Sequence, residues 1–156
     1  MFDNQLVFLH VPNFKTKEEA LTFLANQFVE SGLVDEEFPE KILEREEIFP
    51  TGIGFEEVGI AIPHSDPEYV KKEQIGIMTL EKPILFKRIE DKSKEIEVSM
   101  IFMLALKEPD GHLKVLQNLM SLLQDKETAN ELQVMGDTAL NRKKAIQLLE
   151  GENVYD

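Results

Sequence analysis

The sequence predicts an α/β fold: a three-layer single domain in which a mixed, roughly five-stranded sheet is flanked by helices. Short apolar runs, which are typical of strands, alternate along the chain with longer segments of helical periodicity. Residues 95–98 alternate between charged and apolar side chains, and residues 100–106 are apolar throughout. Such a change is typical of a strand entering a sheet that is covered on both faces. The length of 156 residues is that of one domain, predicted here to span 1–156.

The first strand and the first helix have clear boundaries in the sequence. Residues 6–11 form an apolar run that ends at Pro12, and they are predicted to be a strand. Thr16 is expected to cap the helix that follows, with Glu19 completing a capping box. Gly32 is expected to end this helix, because glycine readily adopts the left-handed conformation there.

A second helix is predicted from a cap at Asp35 to about Ile48. Phe38, Ile42 and Arg45 recur at helical spacing and are expected to form its inner face. The other faces are rich in glutamate, which indicates a solvated acidic surface. These glutamates are Glu36, Glu37, Glu40, Glu44, Glu46 and Glu47.

The middle of the chain is predicted to contain a loop and several strands. Residues 50–54 combine proline, threonine and two glycines, and are expected to form a loop. A strand is predicted at residues 58–62, another at 74–80, and a short apolar piece at 84–86 beyond Pro83.

The last third is predicted to be mostly helical after the apolar strand. Asp110 and Gly111 are expected to open an amphipathic helix whose leucines face inward. Asp125 and Asp137 are expected to cap two further helices.

Charge and composition exclude several classes of partner. Thirty acidic and seventeen basic residues give a formal charge of -13, which repels nucleic acid and anionic lipid and favours a cationic protein partner. The chain has no cysteine, and it does not begin with a basic signal-peptide region. Its longest apolar run is far shorter than the ~20 residues that cross a bilayer. We therefore expect a cytoplasmic protein that does not insert into membranes.

Two of the three histidines occupy positions that suit a ligand site. His64 directly follows a predicted strand and Pro63, at the strand end where open α/β sheets usually bind ligands. A solvated loop histidine is the alternative. His112 falls in the first turn of a predicted helix, where backbone N–H groups attract anions and disfavour a protonated imidazole. Its alternative is an ordinary surface histidine. His10 lies within an apolar strand, where simple packing or edge exposure explains it.

His64, His112, Arg45 and Thr51 together suggest a phosphate site. An imidazole can accept a phosphoryl group through a labile N–P bond, and such transfer requires positioning and charge stabilisation. Arg45 would supply a planar fork of donors, and Thr51 a hydroxyl group. For Arg45 the alternative is an i,i+4 ion pair within its own acidic helix.

Other chemistry has weaker support in the sequence. Ser65 beside His64 lacks the G-x-S-x-G context of a serine hydrolase. His64, Asp66 and His112 could bind a metal and serve a hydrolase, but their spacing matches no known site. The chain also lacks a P-loop and a G-x-G-x-x-G motif. We expect neither a resident metal nor a cofactor.

The motifs resemble those of a known family. They are Arg-Glu at 45–46, Pro-Thr-Gly-Ile at 50–53 and Ile-Ala-Ile-Pro-His at 60–64, with His112 at a later helix start. This combination resembles the enzyme IIA domains of the bacterial phosphoenolpyruvate-dependent sugar phosphotransferase system, of the fructose–mannitol type. Phe-Pro-Thr-Gly at 49–52 and His-Ser-Asp at 64–66 look most similar to the galactitol-specific branch.

The resemblance implies a phosphotransferase component that works through a phosphohistidine. His64 would accept a phosphoryl group from the phosphocarrier HPr on Nε2 and pass it to a IIB component, which works with a membrane IIC component. The sugar would be galactitol-like or of the fructose family. His112 would be a second active-site histidine, with Arg45 and Thr51 supporting the phosphate. The alternative is a regulatory module of the same fold that controls a partner protein by binding.

Overall fold

The computed structural model describes residues 2–55, 58–108 and 117–151. In chain order, its strands and helices are β1 (Phe2–Val11), α1 (Lys17–Glu30), α2 (Phe38–Ile48), β2 (Gly52–Gly54), β3 (Gly59–Ala61), β4 (Gln74–Lys87), β5 (Glu95–Ala105), α3 (described over 117–123), α4 (Lys126–Val134) and α5 (Ala139–Gly151). Within these described ranges, no helix is both long enough and apolar enough to cross a bilayer.

The five strands form one mixed sheet in the order β1-β4-β5-β3-β2. β1 pairs with β4 and β3 pairs with β5 in parallel, while the pairs β4–β5 and β2–β3 are antiparallel. This arrangement confirms the predicted fold class.

Alternating side chains of β5 build the two apolar layers on either side of the sheet. Met100 and Phe102 belong to a core shared with α3, α4 and α5. Ile101 and Met103 belong to a second core, shared with α1 and α2. Every residue of 100–106 is buried, as the solid apolar run predicts for a strand covered on both faces.

The predicted boundaries of α1 are confirmed. The Thr16 hydroxyl accepts a hydrogen bond from the Glu19 N–H at 3.2 Å, and the Glu19 carboxylate accepts one from the Thr16 N–H at 3.1 Å. These two bonds are the capping box. After the helix, Gly32 has a φ of +74°, the left-handed conformation expected at a helix end.

The second helix differs from its prediction in its start and in its inner face. It begins at Phe38 with Glu37 as N-cap, so the prediction of Asp35 as the cap is wrong. Pro39 explains the difference, because proline is tolerated only in the first turn of a helix. Phe38 and Ile42 are buried as predicted, but the third fully buried side chain is Glu46 rather than Arg45.

The predicted loop at residues 50–54 contains the short edge strand β2. Gly52–Gly54 pairs antiparallel with Gly59–Ala61, so the prediction of a loop there is wrong. The glycines permit the strand rather than break it, since a Cβ at Gly52 would lie 2.6 Å from the Lys87 carbonyl oxygen. A side chain at Gly59 would likewise collide with the Glu97 carbonyl.

β4 is longer than predicted, because it continues through Pro83. The β4–β5 register shifts between Thr79 and Ile84, and residues 81–83 are exposed at this irregularity. A proline there interrupts no regular ladder hydrogen bond, so the apolar piece at 84–86 is part of the same strand.

The caps of the C-terminal helices are only partly as predicted. Asp125 accepts a hydrogen bond from the Glu127 N–H at 3.2 Å and caps α4 as expected. At α5 the Thr138 hydroxyl, not Asp137, accepts from the backbone N–H of Asn141 at 3.0 Å. The Asp137 carboxylate instead pairs with Arg142. The predicted helix start at Asp110 and Gly111 lies outside the described residues.

Candidate functional site

His64 lies just beyond the carboxyl end of β3, where the sheet fixes the chain on one side. The Pro63 carbonyl accepts a hydrogen bond from the Leu104 N–H at 2.9 Å, which ties the segment to β5. Pro63 is buried, whereas His64 is half-buried. The imidazole is therefore held on a rigid support with one side toward solvent.

A hydrogen bond to the backbone defines the tautomer of His64. Its Nδ1 lies 3.0 Å from the Ile62 carbonyl oxygen. A carbonyl oxygen can only accept, so Nδ1 carries the hydrogen and the ring's lone pair is on Nε2. This arrangement makes Nε2 the nucleophilic nitrogen of a neutral imidazole.

His64 lines a cleft of about 460 Å³ together with Arg45 and Thr51. The structure therefore brings these three predicted site residues together. His112, the fourth, lies outside the described residues. The remaining lining residues are Ile48, Phe49, Pro50, Ile89, Glu90, Asp91 and Lys92.

Arg45 reaches from α2 across the chain. Its guanidinium Nη1 lies 3.2 Å from the Asp66 Oδ1, a partner 21 positions later in the sequence. The guanidinium also lies over the Phe49 ring, 5.4 Å from its centroid. Among the described residues, the buried Nε has no hydrogen-bond partner. Arg45 thus pairs with Asp66 rather than with a glutamate of its own helix.

Thr51 is buried, and its hydroxyl is already hydrogen-bonded within the protein. Its Oγ1 donates to the Glu46 carboxylate, 2.9 Å from each oxygen, and the Thr51 N–H donates to the same group at 2.9 Å. Oγ1 in turn accepts from the Ile62 N–H at 3.1 Å. The structure therefore places Thr51 between Glu46 and the segment that leads to His64.

Glu46, which accepts hydrogen bonds from Thr51, is not predicted from the sequence to be near the site. Glu46 is only 3% exposed, whereas the acidic composition of the helix predicts a solvated surface. Burial raises the pKa of Glu46, and the hydrogen bonds from Thr51 and the charge of Lys17 on α1 lower it. The net result is a raised pKa of about 7. The signal was present in the sequence, because Phe38, Ile42 and Glu46 follow one another at i,i+4 spacing.

We expect the wild type to lose stability as the pH rises from 4.5 through 7, and we expect Glu46→Gln to abolish this loss. Since the folded protein binds this proton more tightly than the unfolded chain, ionisation on raising the pH destabilises the fold by on the order of 3 kcal/mol. Unfolding by denaturant at pH 5 and pH 8 should therefore show the wild type losing stability relative to the variant. Exposed Glu40, on the same helix, supplies the control Glu40→Gln. Parallel pH dependences for the wild type and Glu46→Gln would contradict the buried, shifted carboxyl.

The described side chains form no cluster that resembles a metal site. Across residues 2–55, 58–108 and 117–151, no group of three or more histidine, aspartate or glutamate side chains is placed to hold an ion. Of the three proposed metal ligands, Asp66 pairs with Arg45, His64 bonds to Ile62, and His112 lies outside these ranges.

The family model and the relatives that match this chain agree with one another. The model described as "Phosphoenolpyruvate-dependent sugar phosphotransferase system, EIIA 2" matches residues 1–150. The galactitol-specific EIIA component of Escherichia coli K12 is 30% identical over 128 residues, 82% of this chain and 85% of that protein. Multiphosphoryl transfer protein 1 of the same strain is 31% identical over 145 residues, 92% of this chain and 16% of that protein.

A solved structure agrees with these sequence relatives. It is the complex of enzyme IIA mannitol with phosphorylated enzyme IIB mannitol from Escherichia coli. The matched chain has a TM-score of 0.77 and 26% identity, covering 97% of this chain and 99% of that one.

Proposed function

Because the chain belongs to the phosphoenolpyruvate-dependent sugar phosphotransferase system EIIA 2 family, we propose that it is a cytoplasmic phosphoryl carrier of such a system. His64 accepts the phosphoryl group of phospho-HPr and passes it to a IIB component for sugar uptake. The hydrogen bond from His64 Nδ1 to the Ile62 carbonyl carries this proposal, because it places the lone pair on Nε2.

The proposed step exchanges one N–P bond for another. The Nε2 lone pair attacks the phosphorus of the HPr phosphohistidine, and a new N–P bond forms at His64. The donor's N–P bond breaks, and its electron pair returns to the donor ring. Nδ1 keeps its hydrogen, and the Ile62 carbonyl stabilises the positive charge that develops on the imidazole. Transfer of this kind depends mainly on alignment and charge stabilisation.

Two cations in the cleft offset the repulsion between a phosphoryl group and an acidic protein. The formal charge of the chain is -13, so an incoming phosphoryl group needs local positive charge. Arg45 and Lys92 both line the cleft that contains His64. Arg45 is held by Asp66 and Phe49, and its forked donors suit phosphate oxygens. We assign Arg45 the stabilisation of the transferred group.

An exposed apolar rim forms part of the cleft's lining and suits docking of partner proteins. We define it as Ile48, Phe49 and Ile89, which are 56%, 61% and 51% exposed and which all line the cleft. Exposed apolar residues grouped around a reactive side chain are typical of a protein–protein contact. HPr and the IIB component are the proposed occupants, and the IIB component would work with a membrane IIC component.

Our proposals for the sugar and for the remaining site residues are supported by the family relatives. The galactitol-specific relative favours a galactitol-like sugar, with a fructose-family sugar as the alternative. We propose that residues 1–156 form one IIA-like carrier domain and that His112 is its second active-site histidine. For Thr51 we propose a supporting role through the segment that it holds, since its hydroxyl is already bonded to Glu46.

The test is phosphorylation by the purified general components. Incubation with phosphoenolpyruvate, enzyme I and HPr is expected to add one acid-labile phosphoryl group per chain, and a galactitol-type IIB protein is expected to discharge it. The control omits HPr. Absence of labelling, or labelling that survives acid, would contradict the proposal. Labelling that no IIB protein discharges would instead support the regulatory module.

A further inference from the structure

We propose that Glu46 is a positioning residue for phosphoryl transfer at His64, acting through Thr51 on the segment Ile62–Pro63–His64. The inference rests on the proposed function and extends it to a buried carboxylate that does not line the cleft. Hydrogen bonds connect four groups, one to the next: the Glu46 carboxylate, the Thr51 hydroxyl, the Ile62 backbone and the His64 imidazole.

The Thr51 side chain continues the sheet where its backbone ladder stops. The last backbone pair between β2 and β3 joins Gly52 to Ala61. The next residue, Ile62, is buried, and its N–H bonds to the Thr51 hydroxyl instead of to a carbonyl. A buried N–H without an acceptor is costly, so this bond fixes the backbone at the point where the strand ends.

Ile62 transmits that position to the imidazole. Its N–H is bonded to Thr51, and its carbonyl accepts from His64 Nδ1. On the other side, the Pro63 carbonyl is bonded to Leu104 of β5. A shift of Ile62 would therefore move the acceptor that selects the Nδ1–H tautomer.

Glu46 determines which way the Thr51 hydroxyl points. When Glu46 is ionised, above its pKa of about 7, its carboxylate only accepts, so the hydroxyl hydrogen lies toward Glu46 and the Thr51 lone pairs lie toward the Ile62 N–H. Apart from the Thr51 donors, the charged group that acts on Glu46 is Lys17 of α1. Glutamine at this position can donate to Thr51 Oγ1, which would compete with the orientation that Ile62 needs.

Four variants separate positioning from general stability. Thr51→Val removes the hydroxyl at nearly constant volume, Thr51→Ser keeps it, and Glu46→Gln removes the charge that Glu46 carries at about pH 8, above its pKa, where all the variants are compared. Glu47→Gln makes the same charge change at an exposed neighbour that pairs with Lys87, and it is the matched control. The measurements are kcat and KM for transfer from phospho-HPr, and the ¹⁵N chemical shifts of the His64 ring in the unphosphorylated protein.

Thr51→Val is expected to lower kcat about tenfold and to leave KM for phospho-HPr within about twofold, because it misplaces the nucleophile without altering the docking surface. Its His64 ring should shift from the Nδ1–H tautomer toward a mixture. Thr51→Ser should recover most of the lost rate, and Glu46→Gln should shift the ring and lower kcat in the same direction. Glu47→Gln should behave as the wild type.

An unchanged His64 tautomer in both Thr51→Val and Glu46→Gln would overturn the inference, as would a loss confined to KM. If Thr51→Val does not fold, Glu46→Gln and the ring spectra of Thr51→Ser decide the question. A wild-type protein that accepts no phosphoryl group, with a tautomer that still responds to Glu46→Gln, would overturn the proposed function and leave the positioning network standing.

Discussion

His64→Asn is expected to reduce phosphoryl acceptance from phospho-HPr by at least about 1000-fold, because the nucleophilic lone pair is lost and no general catalysis replaces it. The hydrogen bond from Nδ1 to the Ile62 carbonyl leaves that lone pair on Nε2, so we attribute the loss of phosphoryl acceptance to Nε2 of His64. The measurement is the rate of acid-labile labelling at a fixed phospho-HPr concentration, with circular dichroism to verify folding.

His10→Asn is the matched control for the His64 variant. His10 is an exposed histidine with a φ of +52°, a conformation that asparagine tolerates. It lies on β1, at the opposite edge of the sheet from β2. Labelling at the wild-type rate is expected for this control. Substantial labelling of His64→Asn would mean that the acceptor is another residue.

Arg45→Gln is expected to slow phosphoryl transfer about 100-fold, the size of the loss when one donor to a developing negative charge is removed. Arg45→Lys should recover only part of the rate, since an ammonium group provides charge but not the planar fork. Asp66 and Phe49 hold the guanidinium beside the cleft, so neither substitution is expected to unfold the domain. The measurement is kcat/KM for phospho-HPr.

The control for this variant is Arg88→Gln. Arg88 pairs with Glu90 and does not line the cleft. Its substitution by glutamine changes the net charge by the same amount as Arg45→Gln. If both variants lose the same activity, the effect is one of general electrostatic attraction to the partner. A rate for Arg45→Gln close to that of the wild type would mean that Arg45 only holds Asp66.

Local patterns were sufficient to predict most of the architecture. The alternation that becomes a solid apolar run predicted β5, and the capping box at Thr16 located α1 within one residue. The strand predicted at residues 58–62, followed by Pro63, located His64 at a strand end, and the family comparison confirms the resemblance drawn from these motifs. Each of these signals acts between near neighbours in the chain, which is why the sequence alone reveals it.

Several of the errors come from residues whose role depends on distant parts of the chain. The sequence predicts that Gly52 breaks regular structure, but Gly52 lies in a strand where Lys87 approaches it too closely for a side chain. Glu46 has the same charge as its exposed neighbours, which hides its helical spacing with the buried Phe38 and Ile42. The Asp66 partner of Arg45 and the Ile62 partner of Thr51 cannot be found from helical periodicity, since each lies beyond the helix or strand concerned.

The central claim is that Nε2 of His64 carries the phosphoryl group. It is tested most directly by the ³¹P–¹⁵N coupling in the phosphorylated protein with ¹⁵N-labelled histidine. We expect phosphorus to couple to Nε2 of His64, with the Nδ1 hydrogen retained toward the Ile62 carbonyl. Coupling to Nδ1 of His64, or to a nitrogen of His10 or His112, would contradict the account.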